Sequence, residues 1–402
     1  MFACFDTAKI DHISYKPAVG TAYRDVLTPQ NFEEAAEEIK TWPGYAPTPL
    51  YSLKGLALAL SIKGILYKHE GPRFGLGSFK ALGGAYAALR ILRNEIAQRR
   101  AQSGRTDDVT LEDIRNGRFT EEAASITLVS ATDGNHGRSL AWGCRRFGAP
   151  CRIYIHAEVS EGRAETMRAL GATVIRIEGD YDASVRLARL EAEKNGWFVV
   201  SDTSWEGYSE PPRDVMAGYG VMVEEMVNTL ETPPTHVFLQ GGVGGLAASV
   251  SAAFRQHWKE ESPRVVIVEP DRAACLFESA KAGEARAVTI ERETIMAGLS
   301  CGEPSDMAWS ILSEEARDFV TISDDVVSPA VRLLVNPLGS DPVIEAGESA
   351  VAGLAAAIMI ARQKTLRDTL GLDENSVILS IGSEGITDPE IHAKMLKEVD
   401  HA

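Results

Sequence analysis

Between Ile126 and Ser201, short β-branched or apolar runs alternate with helix-length stretches, and this alternation restricts the fold more than any other feature of the chain. Ile126-Thr127-Leu128-Val129-Ser130 reads as a strand, 138–147 as a helix and 152–156 as a strand. Residues 162–170 then read as a helix, 173–177 as a strand, 182–195 as a helix and 197–201 as a strand. Short strands separated by helices of this length build βαβ units and a parallel sheet. The pattern breaks at 202–214 and resumes with a helix at 215–230, a strand at 236–240, a glycine loop at 241–245 and a helix to about 258. A strand at 264–269, a helix at 273–280, helices near 305–315 and 324–335, an apolar helix at 347–367 and a last strand at 376–381 complete it. Upstream lie a strand at 64–69 and a helix that opens at Lys80 and runs to about 93. The polar stretch 94–124 reads as short surface helices in an insertion. The economical architecture is two α/β layers joined around Asp202, with 1–93 and 204–402 as a large domain and 94–203 as a small one.

Composition removes several functional classes. The chain has 402 residues, 45% hydrophobic and 24% charged, the balance of an ordinary globular protein with room for an extensive core. Its net charge of −16 argues against non-specific binding to nucleic acid or to an anionic membrane, because both need basic surface. The longest apolar run, 351–361, is far shorter than the roughly 20 residues that span a bilayer. The N-terminus lacks the apolar core of a signal peptide, so a cytoplasmic location is expected. Cys4, Cys144, Cys151, Cys275 and Cys301 show no metal-like spacing, and free thiols are expected, with a Cys275–Cys301 bridge the one conceivable pairing.

Three loops carry the candidate chemistry. Gly77-Ser78-Phe79-Lys80 places a lysine at the start of an Ala/Leu-rich helix, after a turn punctuated by Gly71, Pro72, Gly75 and Gly77. Such a lysine is either a solvated surface cation or a Schiff-base lysine. Gln240-Gly241-Gly242-Val243-Gly244-Gly245 follows a strand and opens a helix, where main-chain amides and the helix dipole suit a phosphate. The same loop fits the G-x-G-x-x-A dinucleotide fingerprint, with Glu269 ending the next strand as a ribose-binding acid would. Ala131-Thr132-Asp133-Gly134-Asn135-His136-Gly137-Arg138 also lies between a strand and a helix, at the kind of strand end where open α/β sheets bind ligands. Its alternative reading is a capping turn.

Taken together and in this order, the lysine turn, Gly134-Asn135-His136 and Gly241–Gly245 resemble the fold-type II pyridoxal-phosphate enzymes, the threonine dehydratase and tryptophan synthase β-subunit superfamily. Pro47-Thr48-Pro49-Leu50 is similar to that superfamily's leading segment, and the likeness runs from about 48 to 388. Asp133 stands where the dehydratases usually carry serine. With Asp202-Thr203-Ser204-Trp205-Glu206-Gly207-Tyr208, the segment 295–304 and Ser383-Glu384-Gly385-Ile386-Thr387-Asp388-Pro389, it makes the chain resemble the diaminopropionate ammonia-lyase family.

The resemblance implies two open, mostly parallel α/β sheets, a large domain and a smaller inserted one, with pyridoxal 5′-phosphate between them. It implies α,β-elimination of 2,3-diaminopropionate to pyruvate and two ammonia, and a homodimer, with no metal. Lys80 would be the Schiff-base lysine, Phe79 would pack on the cofactor ring, and Asn135 would bond the ring 3′-oxygen. Gly241, Gly242, Gly244 and Gly245 would hold the phosphate, and Ser383, or Gly382 in its place, would face the pyridine nitrogen. Asp133 would pair with the β-ammonium and serve as base for the D-enantiomer, with Asp202 as the second acid. His136 is read as structural. The rival readings are a serine or threonine dehydratase on the same scaffold, an NAD-dependent oxidoreductase and a catalytically silent sensor.

Overall fold

The structure is a computed structural model that describes residues 2–398, apart from Asp133, Asp180 and the side chain of Asp182. The chain divides into two compact units, one of residues 1–29, 46–79 and 222–402 and one of 30–45 and 80–221. Each is an α/β layer, as the alternation predicts.

The larger unit holds a seven-stranded sheet in the order Ile10–Ser14, Ala316–Ile322, Arg264–Pro270, His236–Gln240, Val377–Gly382, Gly64–His69 and Leu50–Ser52. The five inner strands run parallel and both edge strands pair antiparallel with their neighbours. Inner parallel strands are covered on both faces and read as continuous apolar runs. Every residue of His236–Gln240 is buried, and so are six of the seven in Arg264–Pro270. The helix Ala352–Arg362 carries ten buried residues, which explains its unbroken apolar sequence. It packs with Phe238, Val266, Val320 and Ile378 of the sheet in one core cluster.

The smaller unit has a four-stranded sheet in the order Thr173–Arg176, Cys151–Ile155, Leu128–Ala131 and Phe198–Val199, parallel throughout. Its share of the chain exceeds the expected 94–203 domain at both ends. The polar stretch after Arg93 continues a helix, Gly84–Gln102, whose buried face includes Leu92 and Ile96. That helix packs on Asn135–Phe147, where the Ala85 amide donates to Ser139 Oγ at 3.1 Å, so residues from Lys80 onward join this sheet. The short helices expected after it are present at Leu111–Arg115 and Thr120–Ala123. Three strands, Ile10–Ser14, Leu50–Ser52 and Ala316–Ile322, have no counterpart in the sequence reading.

Among the described residues, no helix is long and apolar enough to cross a membrane, and no cluster of three histidine, cysteine or acidic side chains could hold a metal. All five cysteines are free thiols.

Candidate active site

In the larger unit, three neighbouring parallel strands deliver candidate residues to the same C-terminal edge. Gly382 pairs with His69, and Ser380 pairs with Phe238, three residues before the glycine loop begins. The turn after His69 therefore lies beside Ser383. The Phe79 amide donates to the Ser383 carbonyl at 3.0 Å, and the Gly385 amide donates to the Gly77 carbonyl at 2.9 Å. Phe79 and Ser383, called separately from sequence, sit together, and both are buried. A Cβ on Gly382 would come within 2.5 Å of the Tyr67 hydroxyl, so the polar side chain at this strand end belongs to Ser383.

The glycine loop has the form of an anion cradle. Gly242 and Gly244 adopt φ of 64° and 95°, conformations that residues with a Cβ rarely take. A Cβ on Gly241 would meet the Glu269 side chain at 2.5 Å. The helix Gly245–Trp258 starts from this loop, and the amides of its first turn have no intrahelical acceptors. Donors of this kind, at the positive end of a helix, fit a phosphate group.

Glu269 does not face a ribose. Its carboxylate accepts the Leu276 amide at 3.0 Å and the Phe277 amide at 2.7 Å, holding the start of the helix Cys275–Ala282. It is fully buried, and burial pushes its pKa up to about 8 against the pull of those two amides. This overturns the dinucleotide reading of the loop. Cys275 and Cys301, free thiols, lie against the same loop, with Cys275 Sγ 3.5 Å from the Gly242 carbonyl.

Beneath the lysine turn runs a closed set of charges. Arg73 bonds both oxygens of Glu70 at 2.8 Å and both of Glu225 at 2.7 and 2.8 Å. Lys68 donates to Glu225 at 2.6 Å and to the Thr48 carbonyl at 2.8 Å. Lys68, Glu70, Arg73 and Glu225 have side chains at most 4% exposed. Burial alone would raise the Glu225 pKa, but Arg73 and Lys68 outweigh it and hold the carboxyl below its ordinary range.

In the smaller unit, Leu128 pairs with Phe198 and Val129 with Val199, so the loops after these parallel strands share one edge. One carries Asn135 and His136, the other Asp202. Lys80 Nζ is ion-paired with the Asp202 carboxylate, and their side chains are 19% and 17% exposed. Burial would raise the Asp202 pKa, yet the charge of Lys80 outweighs it and keeps the acid ionised. His136 is fully buried on the first turn of Asn135–Phe147, and its Nε2 bonds the Val200 carbonyl at 2.9 Å. Burial lowers its pKa, so it is neutral. Asn135 opens that helix and is half-buried. Asp133 lies outside the described residues.

Two aromatic residues of this cluster were given no role from sequence, Tyr208 being quoted only as part of the segment 202–208. The Tyr208 hydroxyl accepts the Ser201 amide at 3.0 Å and donates to the Val199 carbonyl at 2.9 Å, so one phenol closes the segment that carries Asp202 onto the strand end just before it. Its ring stacks on Trp205 at 4.1 Å, which explains why both aromatics occur in the segment 202–208. Tyr219, on the helix Glu210–Val227, sets its ring 5.9 Å from Lys80 Nζ. Its sequence signal was Gly218-Tyr219-Gly220, since two glycines inside a helix weaken it unless another element approaches closely.

Comparison with known proteins agrees with this geometry. The model of the pyridoxal-phosphate dependent enzyme family matches residues 41–382. Diaminopropionate ammonia-lyase of Escherichia coli strain K12 is 38% identical over 367 residues, 89% of each chain. The enzyme of that name from Salmonella typhimurium strain LT2 is 34% identical over 363 residues, 88% of each. The solved Escherichia coli diaminopropionate ammonia-lyase in complex with D-serine superposes with a TM-score of 0.87 at 33% identity, covering 98% of both chains.

Proposed function

This chain belongs to the pyridoxal-phosphate dependent enzymes and, within them, to the diaminopropionate ammonia-lyase family, and from that premise we propose that it converts 2,3-diaminopropionate and water to pyruvate and two ammonia. The observation that carries the reading is the Lys80 amine held on an ionised Asp202, in the company of a neutral His136 and the Tyr219 ring.

The glycine loop and the donor set suit the cofactor. Gly241, Gly242, Gly244 and Gly245 would hold its phosphate, Phe79 would lie on its ring, and Asn135 would bond its 3′-oxygen. Ser383 would face the pyridine nitrogen with a neutral hydroxyl. Bound there, pyridoxal phosphate supplies an electron sink for the carbanion left at Cα.

The protein's own residues do the rest. Lys80 Nζ, once free, takes a proton from Cα and becomes an ammonium. Asp202 stabilises that ammonium and orients it, and its depressed pKa keeps it ionised throughout the working range. Asp133 pairs with the β-ammonium of the substrate, where a serine would suit a β-hydroxyl, and serves as base toward the D-enantiomer. The solved D-serine complex of the Escherichia coli enzyme supports a site open to D-amino acids. Tyr208 fixes the loop that carries Asp202, so that the carboxylate meets Lys80 without reordering. We propose a homodimer for this chain as well, in line with its family.

The test is a spectrum. The wild-type protein with pyridoxal phosphate is expected to absorb near the visible edge and to release two ammonia per diaminopropionate consumed. Lys80→Ala is expected to lose both properties. A Lys80→Ala protein with an unchanged visible band would remove the cofactor assignment, and turnover of serine in preference to diaminopropionate would move the chain to the dehydratases.

A further inference from the structure

The approach of Tyr219 to Lys80 is built into the packing and is not accounted for by the roles above. Directly after Lys80, the chain presses on the helix Glu210–Val227. A Cβ on Gly218 would meet the Leu82 carbonyl oxygen at 2.2 Å, and a Cβ on Gly83 would meet the Tyr219 ring at 2.6 Å. Both positions must lack a side chain for the helix to come this near. The result is a tyrosine 1% exposed, with its ring 5.9 Å from the lysine nitrogen.

The surroundings of that nitrogen define what the ring does. Asp202 reaches it from the loop after Phe198–Val199, His136 lies near from the helix Asn135–Phe147, and Tyr219 faces it from Glu210–Val227. Tyr208 touches the group only through Asp202. His136 is kept neutral by burial and adds no repulsion. Burial also pushes the Tyr219 phenol up, so it remains uncharged and offers a quadrupole rather than an anion. A carboxylate and a neutral phenol beside the nitrogen both favour the ammonium over the amine.

We propose that Tyr219 is a further catalytic residue, which with Asp202 forms a two-sided seat for the Lys80 amine and strengthens it as a proton acceptor. The inference rests on the reading of Lys80 given above. Proton abstraction from Cα moves a positive charge onto Nζ, and a ring already placed to receive that charge stabilises the product of the step.

The experiment follows incorporation of pyridoxal phosphate into the cofactor-free full-length protein across pH, by growth of the visible band. Incorporation needs the neutral amine, so the midpoint of the rate profile reports the Lys80 pKa. Tyr219→Leu is expected to lower that midpoint by about half a unit to one unit, and Tyr219→Phe, which keeps the ring, to lower it by less. Tyr219→Met, closer in volume, replaces the leucine variant should that one fail to fold. An unchanged midpoint in the leucine or methionine variant overturns the proposal. In either case the visible band itself forms normally. If wild-type protein gains no band, the cofactor reading fails instead, and the two failures are distinct.

Discussion

Each unit of this protein buries a lysine against a carboxylate, and the two pairs are built to opposite ends. Lys68 is 1% exposed and belongs to a set of two cations and two anions in which Arg73 grips both carboxylates. Lys80 is 19% exposed and has Asp202, a neutral imidazole and an aromatic ring for company. The first set is saturated, and the chemistry of any member would cost the others their partners. The second leaves the amine one charged partner and an approach from outside. A buried lysine is therefore not evidence for catalysis; access to its amine is.

The largest effect that sharpens this contrast concerns Asp202. Asp202→Asn is expected to lower kcat roughly a hundredfold to ten-thousandfold with the fold intact, measured by ammonia release and circular dichroism. Glu225→Ala is expected to do the reverse, leaving Lys68 and Arg73 to share the single carboxylate of Glu70. Urea unfolding should show a loss of about 3–5 kcal/mol, with kcat per folded molecule near wild type. A Glu225→Ala protein as stable as wild type, or an Asp202→Asn protein as active, would erase the distinction between the two lysines.

Glu269 supplies a third case, a buried carboxyl with amide partners and a pKa pushed up to about 8. Its folded pKa lies above the ordinary 4.5, so the native state holds its proton longer than the unfolded chain. Stability from this group is accordingly present in full below pH 4.5 and declines between 4.5 and about 8, at up to about 1.4 kcal/mol per unit. Glu269→Gln is expected to flatten that part of the stability profile in chemical denaturation across pH. The smallest effect belongs to Tyr208→Phe, which removes the clasp on Val199 and Ser201 and should cost about 1–2 kcal/mol. Its kcat should fall more than its KM rises, because the loop it fastens carries Asp202.

Local features of the sequence announced most of the scaffold. The βαβ alternation, the glycine loop and the lysine turn each have a short-range physical cause, and each is where the sequence placed it. What escaped depends on partners far away in the chain. Ile10–Ser14 became an edge strand because Ala316–Ile322 pairs with it, and its own residues are only partly buried. The second half of Gly84–Gln102 looked like a polar insertion because its outward face is charged, while Leu92 and Ile96 alone mark the inward face. Arg73 and Glu225 are separated by 152 residues, and nothing near either one names the other. At the site, Lys80 and Asp202 could be named from motifs, whereas Tyr219 could not, since its only signature is the pair of glycines that flank it.

The four-charge set beneath the lysine turn also bears on how such a protein can change over time. Two positive and two negative side chains share a space that water does not enter. Replacing any one by a neutral residue strands an odd charge there, so a single step is penalised whichever residue moves first. Viable drift at these positions must then proceed in compensated pairs, and related chains should vary at 225 together with 68 or 73, or not at all.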